Sequence, residues 1–202
     1  MAYDPYTAIW LSHSSINDFL SCKRLYFLKN IFKDPISKRK INIVSPYLSL
    51  GIAIHNTLEP LKEIETTNRE LYIKNNLINN YKNNFDSLTG KKGGFKNKEE
   101  ENEFFERGLK IMKNILKDTM ILINKVIPEK YFWNRDLHNG FNPHFPIDIE
   151  NNLILTGAID WLEYLEKDNS IRIIDFKTKK NEEKEDSFQL PIYYLLITEL
   201  DM

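Results

Sequence analysis

Cysteine is almost missing from this chain: 202 residues contain one, Cys22. A lone thiol excludes an intrachain disulfide framework and fits a reducing compartment. Long apolar runs are missing as well, and none approaches the length of a membrane span. The opening residues MAYDPYTAIW lack the basic and apolar regions of a signal peptide. Together these absences lead us to expect a cytoplasmic protein without a membrane partner. Net charge is small, with 28 Lys and Arg against 29 Asp and Glu, which argues against indiscriminate coating of nucleic acid. What remains is ordinary for a soluble globular protein, and the length suffices for one sizeable domain.

The charge is nevertheless segregated. The first sixty residues hold Lys23, Arg24, Lys29, Lys33, Lys38, Arg39 and Lys40 against Asp4, Asp18, Asp34 and Glu59, while acids gather in Glu99-Glu100-Glu101 and Glu182-Glu183. The basic cluster is a solvated loop by default, and a contact to a nucleic-acid backbone only if it lines a cleft.

Periodicity orders the chain as helices, then strands, then a helix, without repeats. Leu11 to Ile31 opens on a Ser cluster suited to capping and continues with Ile16, Phe19, Leu20, Leu25, Phe27 and Leu28 at roughly helical spacing, which predicts one or two short helices with an apolar face. Cys22 within it reads as a small buried apolar residue. Phe32 to Pro46 reads as a loop. Leu48 to Ile64 predicts a helix with Leu50, Ile54, Leu58 and Leu61 in one stripe and His55 beside it. Thr67 to Phe85 reads as helical but Asn-rich and largely exposed. Asp86 to Lys98 reads as a flexible basic loop. Glu99 to Ile127 predicts the longest helix, ended by Pro128, with Phe104, Phe105, Leu109, Met112, Ile115, Leu116 and Ile123 on its buried side. Tyr131-Phe132-Trp133 and His144 to Ile149 suit strands. Lys179 to Asp186 reads as a charged loop, and Ser187 to Leu200 as a last helix with Pro191 in its first turn. We expect a single domain over residues 1–202, mainly helical over 1–127, with strands and the final helix over 128–202.

The stretch Leu153 to Lys177 carries the chemistry. It reads as two strands joined by a polar turn at Lys167-Asp168-Asn169. Each apolar run contains one carboxylate, Asp160 in GAID and Asp175 in IIDFK, and Lys177 follows Asp175 by two, on the same face by alternation. Burying an unpaired carboxylate is costly, so two of them beside a lysine suggest a place for a divalent cation and an anion. Gln189 and Tyr193, four apart, share one face of the last helix.

The blocks SSINDFLSCKRLYF, GIAIHNTLE, GAID, DFKT and QLPIYY, in this order, resemble the PD-(D/E)XK nuclease superfamily. They look most like its RecB-like branch, which includes the nuclease domains of recombination helicase–nucleases and a CRISPR-associated exonuclease. The resemblance runs from about Leu11 to Leu196, with no motif matched between Thr66 and Ile127. It implies an α/β, restriction-endonuclease-like fold: a mixed sheet flanked by helices, here with an N-terminal helical layer. It implies that Asp160, Asp175, His55 and the Phe176 carbonyl hold Mg²⁺ or Mn²⁺, that Lys177 is the catalytic lysine, and that Gln189 and Tyr193 form the QxxxY motif that orients DNA and the active site. Cys22 matches the first cysteine of members with an iron–sulfur cluster, but such a cluster needs four, so none is expected. Family members usually continue past the QxxxY helix, so a natural short form, a fragment, and completion by a partner are the three expectations.

The function implied is a metal-dependent DNA nuclease, an exonuclease on single-stranded or duplex ends in repair, recombination or defence, with a helicase or other protein as partner. The alternative is a catalytically idle DNA-binding or scaffolding subunit of a helicase–nuclease assembly.

Overall fold

A computed structural model describes residues 7–127, 144–178 and 187–198. In chain order its elements are β1 (Ile9–Leu11), α1 (His13–Ser21), α2 (Lys23–Tyr26) running into a π-helical turn (Phe27–Ile31), α3 (Pro46–Leu58), α4 (Thr66–Asp86), α5 (Lys98–Lys117), β2 (Lys125–Val126), β3 (His144–Asp148), β4 (Leu153–Thr156), β5 (Trp161–Leu165), β6 (Ser170–Ile174) and α6 (Gln189–Thr198). Contacts group the chain into two compact units. The first comprises Met1–Asn42, Pro128–Ile159 and Glu183–Met202, the second Ile43–Ile127 and Asp160–Glu182. The strands expected around Tyr131 and the loop Lys179 to Asp186 lie outside the described residues.

In the first unit β1, β4 and β3 form a mixed sheet in that order, β1 parallel and β3 antiparallel to β4. Ile154 and Leu155 of β4 are buried. The Ser cluster starts α1 as a capping box: Ser12 Oγ accepts from the Ser15 N–H, and the Ser12 N–H donates to Ser15 Oγ. Among the described residues, nothing covers its apolar face. Phe19, Leu20, Phe27 and Leu28 are all exposed, and Ser15 is the buried residue of α1. Cys22 is exposed too, contrary to expectation, because the backbone turns extended there (φ −163°, ψ 115°) between the two helices. In α6, Ile192, Tyr193, Leu196 and Ile197 are buried at helical spacing, and Pro191 sits in the first turn.

The run Leu153 to Leu165, expected as one strand, is two. β4 belongs to the first unit's sheet and β5 to the second unit's, with Gly157 to Asp160 between them. Within the first unit a Cβ on Gly157 would lie 2.8 Å from Tyr193 Cε1 and 2.9 Å from Leu196 Cδ1, so only glycine admits α6 at that distance.

The second unit holds the main core. Ser45 caps α3, its Oγ accepting from the Leu48 N–H, with Pro46 at the first helical position. Leu50, Ile54, Leu58 and Leu61 are fully buried, as their spacing predicts. Two expectations fail here. Although Asn-rich, α4 buries Arg69, Ile73, Leu77, Tyr81 and Phe85, one residue every four along a single face. The segment after it is a packed 3₁₀ turn, Gly90–Gly93, rather than a flexible loop. It is held by Ser49 Oγ donating to the Gly93 carbonyl (2.9 Å) and by the Gly90 N–H donating to the buried Glu101 (2.6 Å). Gly94 closes the turn at φ 78°, where a side chain would be strained.

α5 stops at Lys117, ten residues before the expected end. Asp118 starts a new turn by accepting from the Met120 N–H, and Lys125–Val126 then joins β5 as a short antiparallel strand, so the final apolar residues serve a sheet. Phe104, Met112 and Ile115 are buried as expected, whereas Ile123 lies off the helix. The β2–β5–β6 sheet is antiparallel, and β5 and β6 form the expected hairpin around Glu166–Asn169.

Candidate active site

The site stands at the open end of the β5–β6 hairpin. The ladder runs from Leu165↔Ser170 to Trp161↔Ile174, so the next residues on the two chains are Asp160 and Asp175. Phe176 N–H donates to Asp160 Oδ2 across that end (2.7 Å), binding the two segments after the ladder stops. The other oxygen, Asp160 Oδ1, lies 3.0 Å from His55 Nε2. α3 presents this histidine on the flank of its buried stripe. Lys177 Nζ lies 2.6 Å from Asp175 Oδ2. Both carboxylates are nearly enclosed, at 11% and 12% side-chain exposure, while His55 and Lys177 reach towards solvent. The Phe176 ring stands edge-on to His55 (6.3 Å) and to Trp161 (6.4 Å), fixing the segment that carries the backbone donor.

The Asp160 carboxylate, by its bond to the ring, holds the His55 pKa above its ordinary value, with Glu59 adding to the effect and burial and Lys62 opposing it.

Two carboxylates, an imidazole and a backbone carbonyl are a donor set for a hard to intermediate divalent cation such as Mg²⁺ or Mn²⁺. Among the described residues no group of three His, Cys, Asp or Glu is assembled as a cluster, and Asp175 faces Lys177. The residues thus fit such a cation in kind.

Residues that sequence reasoning passed over support this end of the hairpin. Glu163, fully buried in β5, accepts from Trp161 Nε1 (2.9 Å), Asn124 Nδ2 (3.0 Å) and Arg172 Nε (3.0 Å). The Arg69 guanidinium lies 5.5 Å over the Trp161 ring and donates to the carbonyls of Ile64, Leu122 and Asn124. Trp161, next to Asp160, is therefore held at its face and its edge. Arg107 of α5 donates to the carbonyl of Thr178, the residue after Lys177, while its guanidinium rests on Tyr47 and Phe104. The signal for Glu163 was available: it is a carboxylate in an apolar strand, as Asp160 is.

His55, Asp160, Asp175, Phe176 and Lys177 all belong to the second unit. Gln189 and Tyr193 lie on α6 of the first, where both are buried and Gln189 Nε2 donates to Tyr193 Oη (2.8 Å). Gly157, also of the first unit, packs closely against this tyrosine.

Compared with known proteins, residues 10–202 match the family model described as the PD-(D/E)XK nuclease superfamily. Neither a search of curated proteins nor a search of solved structures returned a significant match. The mixed α/β architecture is consistent with the restriction-endonuclease-like fold of that superfamily.

Proposed function

The chain belongs to the PD-(D/E)XK nuclease superfamily, and we propose that it is a metal-dependent DNA nuclease of the RecB-like branch, an exonuclease acting on single-stranded or frayed ends. The observation that carries this reading is the meeting of Asp160, Asp175, His55 and Lys177 at one end of the β5–β6 hairpin. A cytoplasmic role in repair, recombination or defence, beside a helicase, is the setting we infer from the motif set.

Asp160, Asp175, His55 and the Phe176 carbonyl would hold Mg²⁺ or Mn²⁺. The bound cation would neutralise phosphate charge and make a water molecule more acidic. The chain's own groups do the rest. Lys177, a compact ammonium kept beside Asp175, holds a non-bridging oxygen of the scissile phosphate or orients the attacking water. The Phe176 N–H fixes the Asp160 carboxylate plane, leaving Oδ1 to face His55. Gln189 and Tyr193, joined by their own hydrogen bond, orient the strand.

The test is cleavage of end-labelled single- and double-stranded DNA with Mn²⁺, Mg²⁺ or Ca²⁺. Lys177→Ala should abolish cutting and spare metal binding, and Asp175→Ala should remove both. Wild-type cutting by Asp175→Ala would refute the site. DNA binding without cutting in any metal would favour the idle subunit.

A further inference from the structure

We propose that α1 and α2, with the π-helical turn after them, form a docking face for single-stranded nucleic acid, in which bases stack on Phe19 and Phe27 and Lys23 meets the backbone between them. The choice of nucleic acid as occupant rests on the nuclease reading above. The face itself rests on geometry within the first unit. Phe19 and Phe27 are 46% and 48% exposed, high for phenylalanines on adjoining helical turns. The Lys23 ammonium lies 5.7 Å over the Phe19 ring. Lys23 and Phe27 are one helical turn apart, the Phe27 N–H donating to the Lys23 carbonyl, so they share a side. The Phe19 ring is itself held edge-on by Tyr26 at 5.5 Å. Aromatic, cation and aromatic therefore follow one another along one surface, on a helix that ends in a π turn, a form frequent at functional sites.

Charge says what covers it. Between Thr7 and Lys40 there are seven basic residues and two acidic ones, Asp18 and Asp34. Asp18 is engaged by Lys29 at 3.0 Å, while Lys23 and Arg24 are exposed and in no ion pair among the described residues. A protein partner would have to desolvate those cations, and the centres of protein interfaces are depleted in lysine. A single strand supplies both phosphates for the cations and π-faces for the rings, the combination that sequence-tolerant strand-binding surfaces use.

Binding of a fluorescein-labelled oligothymidylate of about twenty nucleotides, longer than the site of one strand-binding module, is measured by anisotropy on the full chain in EDTA, across a salt series. Phe19→Ala and Phe27→Ala should each weaken binding roughly five- to hundredfold, as loss of one stacked base does. Lys23→Ala should reduce the slope of log affinity against log salt by about 0.7, one phosphate contact on a single strand. Unchanged affinity in both phenylalanine variants overturns the proposal, as does a wild-type chain that does not bind the oligonucleotide. Self-association that is lost in Phe19→Ala with oligonucleotide binding intact also overturns it, and makes the face a protein interface. Cutting that depends on Lys177 while the phenylalanine variants bind normally would leave the nuclease reading standing and this one refuted.

Discussion

Arg172→Met should be among the most destabilising single changes outside the apolar core. Glu163 has no exposed surface, and its carboxylate is satisfied by an indole, an amide and this guanidinium, the only one of the three that carries charge. Removing the cation leaves a buried anion whose hydrogen-bond donors are neutral, with the charge of Arg69 as the remaining cation acting on it. Breaking such a pair from one side costs about 3–5 kcal/mol. The Arg172 side chain is 35% exposed, so part of its charge was already shared with solvent, and we expect about 2–3 kcal/mol after that discount. Arg172 also donates to the Met120 carbonyl, which water can satisfy at that exposed position. The assay is urea unfolding followed by tryptophan fluorescence, since Trp161 reports on the same network. A drop in midpoint at constant slope is the expected form. Glu163→Leu combined with Arg172→Met should be less destabilising than Arg172→Met alone, because the uncompensated charge is gone. A loss under about 1 kcal/mol for Arg172→Met, the scale of a surface pair, would refute the view that this charge pair holds the hairpin.

Three further outcomes follow from other parts of the structure. Glu101 is buried, and the Lys98 ammonium first, then the Gly90 N–H, hold its pKa below the ordinary 4.5. Its contribution is therefore complete above about pH 4.5 and is lost as pH falls through the lower folded value; Glu101→Gln should flatten the acid limb of a midpoint-versus-pH curve. Gly108→Ala would place a Cβ 2.1 Å from the buried Tyr81 Oη; thermal melts should show a loss of about 1–3 kcal/mol from overpacking, despite the better helix former. Gly157→Ala must displace Tyr193; if Tyr193 orients the substrate as proposed, cleavage should fall roughly ten- to hundredfold, with far-UV circular dichroism unchanged.

Strong periodicity was legible. The α3 stripe, the β5–β6 hairpin and the last helix follow from apolar spacing and turn residues, because burial there depends on one local pattern. α4 was misread because asparagines dominate its composition while one residue in four carries the burial, and Arg69 at the start of that face looks like a surface residue until its guanidinium meets three carbonyls and an indole. The glycine-rich turn was misread for a related reason. Glycines signal freedom in a sequence, but here Gly93 is buried and Gly94 occupies a conformation that other residues resist. The break at Gly157 is set by a helix more than thirty residues away in sequence, which local pattern cannot report. Of the candidate site, the residue types and order were readable from the sequence, while the pairings of His55 with Asp160 and Lys177 with Asp175 required coordinates.

The β5–β6 hairpin has two ends of different character. Its carboxylates stand where the strands part, and its turn at Glu166–Asn169 lies at the other end, five residues along each strand. That is a separation of about 16 Å at the usual rise per residue. The turn can therefore serve as a handle: a cysteine for a dye or a short peptide tag placed there would travel with the two strands yet stay clear of the carboxylates at their far end. Variation between relatives should also accumulate at this end, where changes in length alter the outline of the molecule and leave its chemistry in register.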